Sequence, residues 1–377
     1  MGVWFVTHVL VDQKFLSIFA MLFGAGIVLM TGRAEAKGAR FGRIYYRRQF
    51  WLLLIGAAHA YLIWFGDILF MYAAIGMIAY LFRRRTPRTL IIIACCLLPV
   101  TAFLMTGFGY QMQKMQAVAV EAQDMLDAGE DISEMQQQML DQWAVQSSFV
   151  IADAETLQKD VDTHLGSYTE ILKQRVPLAM QMQMFGVMIF GLFRVLALML
   201  IGMALMKLGV LAAEKSNSFY MRTLLVCYGI GLPLTAYSAY DLNAHSFDQF
   251  YVMESGQFAN YLGSVVVGLG HIALVMLMIR TEFATKLLQR FAAVGRMALT
   301  NYLMHSIILT TVFYGYGLGL YGSVPRIGQM GFVVAVIVLQ LIYSPWWLER
   351  FRFGPFEWLW RSLTYWQRQP MRRQESS

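Results

Sequence analysis

Nine apolar stretches dominate the sequence, and each is about as long as a helix that crosses a bilayer. A helix rises about 1.5 Å per residue and spans about 30 Å of hydrocarbon with about 20 residues. Hydrophobic residues form 58% of the 377-residue chain and charged residues 14%, against about 45–50% and about 25% in soluble domains. Because backbone polar groups must pair internally in lipid, the sequence predicts an all-α polytopic membrane bundle with transmembrane helices at 15–31, 50–65, 68–82, 89–109, 182–206, 220–240, 258–279, 297–316 and 328–347.

Basic and acidic residues are distributed unequally between the two sets of segments that connect these stretches on opposite sides of the membrane. The five segments that follow the odd-numbered stretches hold 23 Lys and Arg residues but six Asp and Glu. The remaining segments hold six basic and 17 acidic residues. Since cytoplasmic loops carry the excess of Lys and Arg, the C-terminus is predicted to be cytoplasmic. The net charge of +7 therefore reports topology, and no nucleic-acid partner is expected.

The same topology places the N-terminus outside the cytoplasm. No signal peptide or earlier apolar stretch precedes the first predicted helix to carry it across the membrane. We therefore expect a further helix upstream of Met1, which would make ten spans.

Residues 111–181 interrupt the apolar pattern and contain 12 acidic residues. Their apolar residues recur at helical spacing, which predicts amphipathic helices that cap the extracytoplasmic face of the bundle. Such a cap is either a solvated cover or a lid over an outward-facing cavity. The chain then divides into membrane helices at 1–110 and 182–350, the cap at 111–181, and a cytoplasmic interfacial tail at 351–377.

Four ionisable side chains lie at similar depth within the predicted helices: His59, Arg194, His271 and His305. Ionisable groups at this depth are costly and often functional. Each histidine either makes its own interhelical hydrogen bond or joins a shared polar pocket. No Asp or Glu lies deep in any apolar stretch, so Arg194 either clamps helix-end carbonyls or binds an anionic ligand. Substrate-binding candidates are Arg194, His271, His305, Asn301 and Trp64.

Asp67 follows an aromatic run at the predicted outer interface. It either caps the third apolar helix or acts as a catalytic or orienting carboxylate with His59. The two residues are eight positions apart, roughly 12 Å along a straight helix. A direct interaction between His59 and Asp67 therefore requires a bend or an intervening ligand.

On the predicted cytoplasmic side, an arginine cluster consists of Arg40, Arg43, Arg47 and Arg48. Such clusters fix topology and contact anionic lipid headgroups, or they bind a phosphorylated donor. The sequence contains no phosphate-binding glycine loop, zinc motif or serine nucleophile elbow. We expect no metal and no tightly bound cofactor, and the three cysteines lie within predicted helices with no metal-ligand spacing.

Several longer motifs resemble the YeiB family of bacterial inner-membrane proteins, whose C-terminal domain has no known function. The resemblance covers nearly the whole chain and is carried by residues 14–24, 59–69, 295–306, 314–322 and 354–365. His59 and Asp67 match family positions. Family members commonly have Gln where His305 stands, which weakens His305 as an essential base. They also usually begin with a helix carrying an Arg-Gly motif, and this chain begins after it.

The family is distantly similar to membrane acyltransferases that move an acyl group from a cytosolic thioester to an acceptor across the membrane. The resemblance implies acyl-coenzyme A as donor, bound by the arginine cluster, and an envelope lipid, glycan or small molecule as acceptor. His59 would be the base, since histidine suits proton transfer near neutral pH. The alternatives are a transporter of an anionic or amphipathic solute and a non-catalytic scaffold that binds membrane lipids. Each of the three functions is compatible with an oligomer.

Overall fold

The nine apolar stretches of the sequence are mostly helical in the computed structural model, which describes residues 2–38, 41–150 and 154–373. Of residues 145–150, 188–190 and 253–254 only the backbone is described. Helices account for 81% of the described residues, and these residues contain no strand. The helices are α1 Gly2–Leu10, α2 Lys14–Glu35, α3 Gly42–Leu62, α4 Leu69–Ala79, α5 Pro87–Asp127, α6 Glu134–Val150, α7 Ala154–Leu165, α8 Tyr168–Phe185, α9 Leu196–Lys207, α10 Asn217–Ala244, α11 Gln249–Tyr251, α12 Phe258–Arg280, α13 Thr285–Arg296, α14 Ala298–Phe313, α15 Arg326–Arg350 and α16 Pro355–Tyr365.

Five helical segments in the described residues are long and apolar enough to cross a bilayer. The first joins α1 and α2 as Gly2–Glu35, and the others are α5, α10, α12 and α15. Two further apolar helices, Leu69–Phe82 and Ala298–Phe313, are shorter. The chain is thus an all-α protein with several membrane-spanning helices, whereas the predicted number of nine spans stays a prediction.

Helix α9 lies at the centre of the core. Residues 196–200 and 202–204 are all buried, so this helix is apolar around its whole circumference. A helix of this kind belongs in the interior of a large bundle. It packs against α2, α4 and α5, and a π-helical stretch, Gly186–Val195, joins it to α8. Arg194 at the end of this stretch is therefore held inside the bundle.

Helices α2 and α9 cross with their backbones in close contact. A Cβ atom added to Gly24 would lie 1.9 Å from the carbonyl oxygen of Met199, and one added to Gly202 would lie 1.8 Å from that of Met21. This reciprocal arrangement is typical of small residues at membrane helix crossings, where they let two backbones approach. The crossing holds α2 against the core helix.

The predicted cap region begins as a continuation of a membrane helix. Helix α5 runs without interruption from Pro87 to Asp127, a length of 41 residues, or about 60 Å. It therefore extends well beyond the 89–109 stretch, and it ends before Gly129, whose φ is +79°. Helices α6, α7 and α8 follow, so residues 111–181 are helical over most of their described length. Their placement as a cap stays a prediction.

The C-terminal helix α16 packs on the bundle. The indole Nε1 of Trp360 donates to the carbonyl of Arg48 at 2.8 Å, and the Arg48 guanidinium lies 3.7 Å from the Trp360 ring centroid. Glu357 accepts hydrogen bonds from the backbone N–H and the hydroxyl of Thr300, at 2.9 and 2.5 Å. A carboxylate at the first turn of α14 also favours the positive end of that helix. The tail thus ties α3 to α14.

Candidate functional site

His59 and Asp67 are in direct contact because the chain turns sharply after α3. This helix ends at Leu62, and the chain returns in α4. Gly56 permits the tight return, since a Cβ at this position would lie 2.4 Å from the backbone nitrogen of Phe70. The His59 Nδ1 and the Asp67 Oδ2 are 2.7 Å apart. The bend that the sequence required is present, and no intervening ligand is needed.

Asp67 makes the contacts that both interpretations of the sequence require, one to the first turn of α4 and one to His59. Its Oδ1 accepts the backbone N–H of Phe70 at 2.8 Å, in the first turn of α4. Its Oδ2 accepts from His59 and, at 3.3 Å, from the hydroxyl of Tyr302. The Tyr302 oxygen in turn accepts the backbone N–H of Ile68 at 3.1 Å. The carboxylate is therefore fixed from both sides and holds the imidazole in one orientation.

The second imidazole nitrogen meets a serine that the sequence analysis did not single out. His59 Nε2 lies 2.8 Å from the hydroxyl oxygen of Ser306 on α14. We call Asp67, His59 and Ser306 the relay. The His59 and Asp67 side chains are 0% and 1% exposed, and Ser306 is 8% exposed. Spacing gave no signal for Ser306, because it joins the other two only through packing of α14 against α3 and α4.

The end of α3 beside the relay is secured by the predicted cap region. The carbonyl of Leu62 accepts from Arg175 Nη1 at 2.7 Å and from the hydroxyl of Tyr168 at 2.8 Å. Both donors lie on α8, and Arg175 is buried. The last carbonyls of a helix lack intrahelical partners and carry its negative end, so a cation there is favourable. Helix α8 thus stabilises the turn that brings Asp67 to His59.

A groove of about 640 Å³ runs beside α3 toward the relay. Arg48 and Trp360 line it at one level, while Ile68 and Tyr302 line it next to Asp67. Arg48 and His59 are 11 residues apart on one helix, roughly 16 Å. Most of the other lining is apolar. The groove therefore leads from the arginine cluster to the residues that contact Asp67.

Arg194 lines a second cavity, of about 560 Å³, and does not contact the relay. Its guanidinium donates to the carbonyl of Tyr261 at 3.1 Å and to the hydroxyl of Ser264 at 2.8 Å, and it lies 4.0 Å from the Tyr261 ring centroid. Among the described residues Arg194 forms no salt bridge. The cavity shares part of its lining with the groove, namely Gln13, Leu16, Ile68 and Tyr72.

Lys14 is a second buried cation near Arg194, and sequence reasoning missed it. It is 0% exposed, and its ammonium donates to Asn260 Oδ1 at 2.6 Å and to the carbonyl of His8. Asn260 directly precedes Tyr261, so both cations are held by the same turn of α12. Lys14 stands at the start of an apolar stretch, where a lysine ordinarily extends to the interface.

The remaining substrate-binding candidates lie in separate contacts. The His271 Nε2 hydrogen donates to the carbonyl of Leu10 at 3.0 Å, and Nδ1 accepts the Tyr228 hydroxyl at 2.7 Å. Asn301 donates to Ser344 on α15 at 3.1 Å. His305 is half-buried and makes no hydrogen bond within the described part of the chain. Trp64 is 38% exposed. The four residues predicted at similar depth therefore have no common hydrogen-bond partner.

The arginine cluster is only partly available to a ligand. Arg40 lies outside the described residues. Arg43 is exposed, whereas Arg47 lies 4.9 Å from the Trp366 ring centroid. Arg48 stacks on Trp360 and also lines the groove. In the described ranges, no group of three or more His, Cys, Asp and Glu side chains is arranged to hold a metal ion.

These features together define a helical membrane protein with a buried carboxylate–imidazole–hydroxyl relay. Residues 205–367 match the family model described as "Protein of unknown function (DUF418)". The chain is 32% identical to the uncharacterized protein YxaH of Bacillus subtilis, over 96% of this chain and 81% of that protein. It is 30% identical to the uncharacterized protein YeiB of Escherichia coli, over 96% of this chain and 84% of that protein.

The chain therefore belongs to the YeiB family of proteins of unknown function, as the sequence motifs predict. No solved structure matches it.

Proposed function

We propose that the protein is an acyltransferase of the bacterial inner membrane, in which His59 is the general base and Asp67 holds it in place. The observation that carries the proposal is the 2.7 Å contact between His59 Nδ1 and Asp67 Oδ2 in a site closed to solvent. A carboxylate only accepts hydrogen bonds, so Nδ1 carries a proton, and in the neutral imidazole Nε2 offers its lone pair. An imidazole in this tautomer removes a proton from an attacking hydroxyl.

The donor in this proposal is acyl-coenzyme A on the cytoplasmic side. Arg43 and Arg47 offer charge for its phosphates, and Arg40 belongs to the same stretch of sequence. The groove from Arg48 to Tyr302 would take the pantetheine arm and the acyl chain, and its volume of about 640 Å³ lies in the range of ligand pockets. The coenzyme is a substrate that leaves after each turnover.

The acceptor in this proposal enters from the opposite side, through the cavity that Arg194 lines. Arg194 is a buried cation that lines this cavity and forms no salt bridge among the described residues, which favours an acceptor with an anionic group. Most other lining residues of the cavity are apolar, which favours an amphipathic molecule such as an envelope lipid. The cavity shares Ile68 and Tyr72 with the groove, so donor and acceptor would meet beside Asp67.

A binding measurement tests the donor site. In the purified protein, the double substitution Arg43→Glu and Arg47→Glu should weaken acyl-coenzyme A binding at least about tenfold, or about 1.4 kcal/mol, because two charges that attract phosphate become repulsive. Binding is measured by equilibrium dialysis in neutral detergent with labelled acetyl- and palmitoyl-coenzyme A. Arg296→Glu, an exposed cation at the end of α13, is the matched control and should leave the affinity unchanged.

Two results would contradict the donor proposal. The first is that the unmodified protein binds neither thioester. The second is that Arg296→Glu weakens binding as much as the double substitution, which would mean that only the total charge of this face matters.

A further inference from the structure

We propose that Ser306 is the nucleophile of the reaction and carries the acyl group as a covalent ester between donor and acceptor. This inference rests on the proposed acyl transfer and adds a step to it. It concerns how the acyl group travels, in two displacements through the protein rather than in one direct transfer. The geometry of the relay, the position of Ser306 on α14 and the burial of the site each support it.

The hydrogen bonds of the relay have a defined direction. In the neutral form of His59 whose Nδ1 donates to Asp67, Nε2 is an acceptor. The group 2.8 Å from Nε2 is the Ser306 hydroxyl, which donates its proton to Nε2 in this form. A serine inside a helix ordinarily donates to the carbonyl four residues earlier. Within the described residues, the hydroxyl of Ser306 instead makes its only hydrogen bond to His59.

The carboxylate distinguishes this arrangement from a structural contact. A histidine and a serine that merely join two helices need no third group. Here Asp67 receives hydrogen bonds from His59, Tyr302 and the backbone of Phe70. An ionised carboxylate beside Nδ1 orients the ring and stabilises the imidazolium that forms when Nε2 takes a proton. The arrangement is therefore suited to lowering the barrier for removal of the Ser306 proton.

Ser306 lies one helical turn beyond the part of α14 that lines the groove, and it is not itself a lining residue. Leu299 and Tyr302 line the groove, and Ser306 follows them at seven and four residues on the same helix. Positions i, i+3 and i+7 share one helix face. Ser306 is also the most exposed member of the relay, at 8%.

The proposed first step acylates the serine. The Ser306 oxygen attacks the thioester carbonyl of acyl-coenzyme A while its proton passes to His59 Nε2. The carbon–sulfur bond breaks, an ester bond to Ser306 has formed, and the imidazolium returns the proton to the departing thiolate. Coenzyme A leaves as the thiol.

The second step releases the acyl group to the acceptor. A hydroxyl or amine of the acceptor attacks the Ser306 ester while His59 Nε2 takes the acceptor's proton. The bond between the acyl carbon and the Ser306 oxygen breaks, and the proton passes from Nε2 to that oxygen. Because His59 and Asp67 are almost fully buried, bulk water competes poorly with a bound acceptor, so transfer is favoured over hydrolysis.

Trapping the acylated protein tests this inference. The purified full chain is mixed with labelled acetyl- or palmitoyl-coenzyme A in detergent, quenched in acid, digested and examined by mass spectrometry. We expect one acyl group on the peptide containing Ser306. Ser306→Ala should abolish the adduct and lower coenzyme A release at least about 10³-fold. Thr311→Ala, which removes an exposed hydroxyl that donates to the carbonyl of Ile307 on the same helix and leaves the relay intact, should retain both signals.

A cysteine variant keeps the test decisive if Ser306→Ala does not fold. Ser306→Cys should accept the acyl group as a thioester, which neutral hydroxylamine cleaves much faster than the ester in the unmodified protein. A cleavable adduct at this position supports the inference. An adduct that resists hydroxylamine as well as the unmodified one lies elsewhere and overturns it.

Failure of this inference is distinguishable from failure of the proposed function. If Ser306→Ala transfers acyl groups within about threefold of the unmodified protein, while His59→Gln does not, the covalent step is wrong and His59 acts directly on the acceptor. If the unmodified protein binds the thioesters but neither releases coenzyme A nor forms an adduct when bacterial membrane lipid is supplied as acceptor, the acyltransferase proposal itself fails.

Discussion

Replacing His59 with glutamine should lower acyl transfer at least about 10³-fold, within the range measured for loss of a general base. Glutamine fills a similar volume and still hydrogen-bonds, but its side chain takes no proton from a hydroxyl at neutral pH. The 2.8 Å contact between His59 Nε2 and Ser306 would then no longer activate the serine. The measurement is coenzyme A release from labelled thioester by purified protein, with the thermal unfolding midpoint recorded in parallel.

The matched control is His271→Gln, because His271 is also a membrane histidine with both ring nitrogens hydrogen-bonded. Its partners, Tyr228 and the carbonyl of Leu10, lie outside the relay. We expect this variant to lose at most a few-fold of activity. If the two variants lose the same fraction of activity at equal stability, His59 is not the general base.

The same assay with Asp67→Asn should show a loss of about 10³–10⁴-fold. An amide in place of the carboxylate can donate toward Nδ1, which moves the ring proton to Nε2. Nε2 then becomes a donor and no longer accepts the Ser306 proton. If the Asp67→Asn variant transfers acyl groups at the normal rate, the only role of this carboxylate is to cap the first turn of α4.

Replacing Gly24 with alanine should destabilise the bundle by about 3 kcal/mol, the upper end for overpacking a core. The added methyl group would lie 1.9 Å from the Met199 carbonyl oxygen, and backbone atoms yield less readily than a flexible side chain. Helices α2 and α9 would have to separate. The measurement is the thermal unfolding midpoint in detergent, together with the fraction of protein that elutes as a single species.

Gly26→Ala is the matched control because it lies two residues further along the same helix, and no atom lies within 4 Å of its added Cβ. Both substitutions raise helix propensity equally. The difference between their unfolding midpoints therefore measures the cost of separating α2 from α9. If the two variants unfold at the same temperature, α2 and α9 do not approach as closely as the structure places them.

Predicting the helices from the sequence was reliable because lipid leaves the backbone few options. An apolar run of about 20 residues satisfies its backbone hydrogen bonds most simply as a helix. Runs such as 220–240 and 258–279 accordingly fall within α10 and α12. The span count was harder. Helices α4 and α14 are apolar but shorter than a typical crossing, and run length alone does not decide whether such helices cross or only enter the membrane.

Part of the candidate site was also visible in the sequence. An ionisable group inside an apolar run is conspicuous because it is costly there, and this drew attention to His59 and Arg194. The turn after Phe65 made a return of the chain plausible. Ser306 gave no such signal, since hydroxyls are common in membrane helices and cost little. Lys14 gave no signal because it stands at the start of an apolar run, where lysine is ordinary.

The sequence by itself determined the class of the protein, a bundle of apolar helices with an acidic helical region between them, because hydropathy and charge act along the chain over many residues. Only the tertiary structure decided which polar groups meet. Asp67 reaches His59 through a turn that Gly56 permits, and Ser306 arrives from 247 positions away. The tertiary structure also places His271 and Arg194 away from the relay. Contacts between residues on different helices depend on how the helices cross, and no local sequence pattern encodes this.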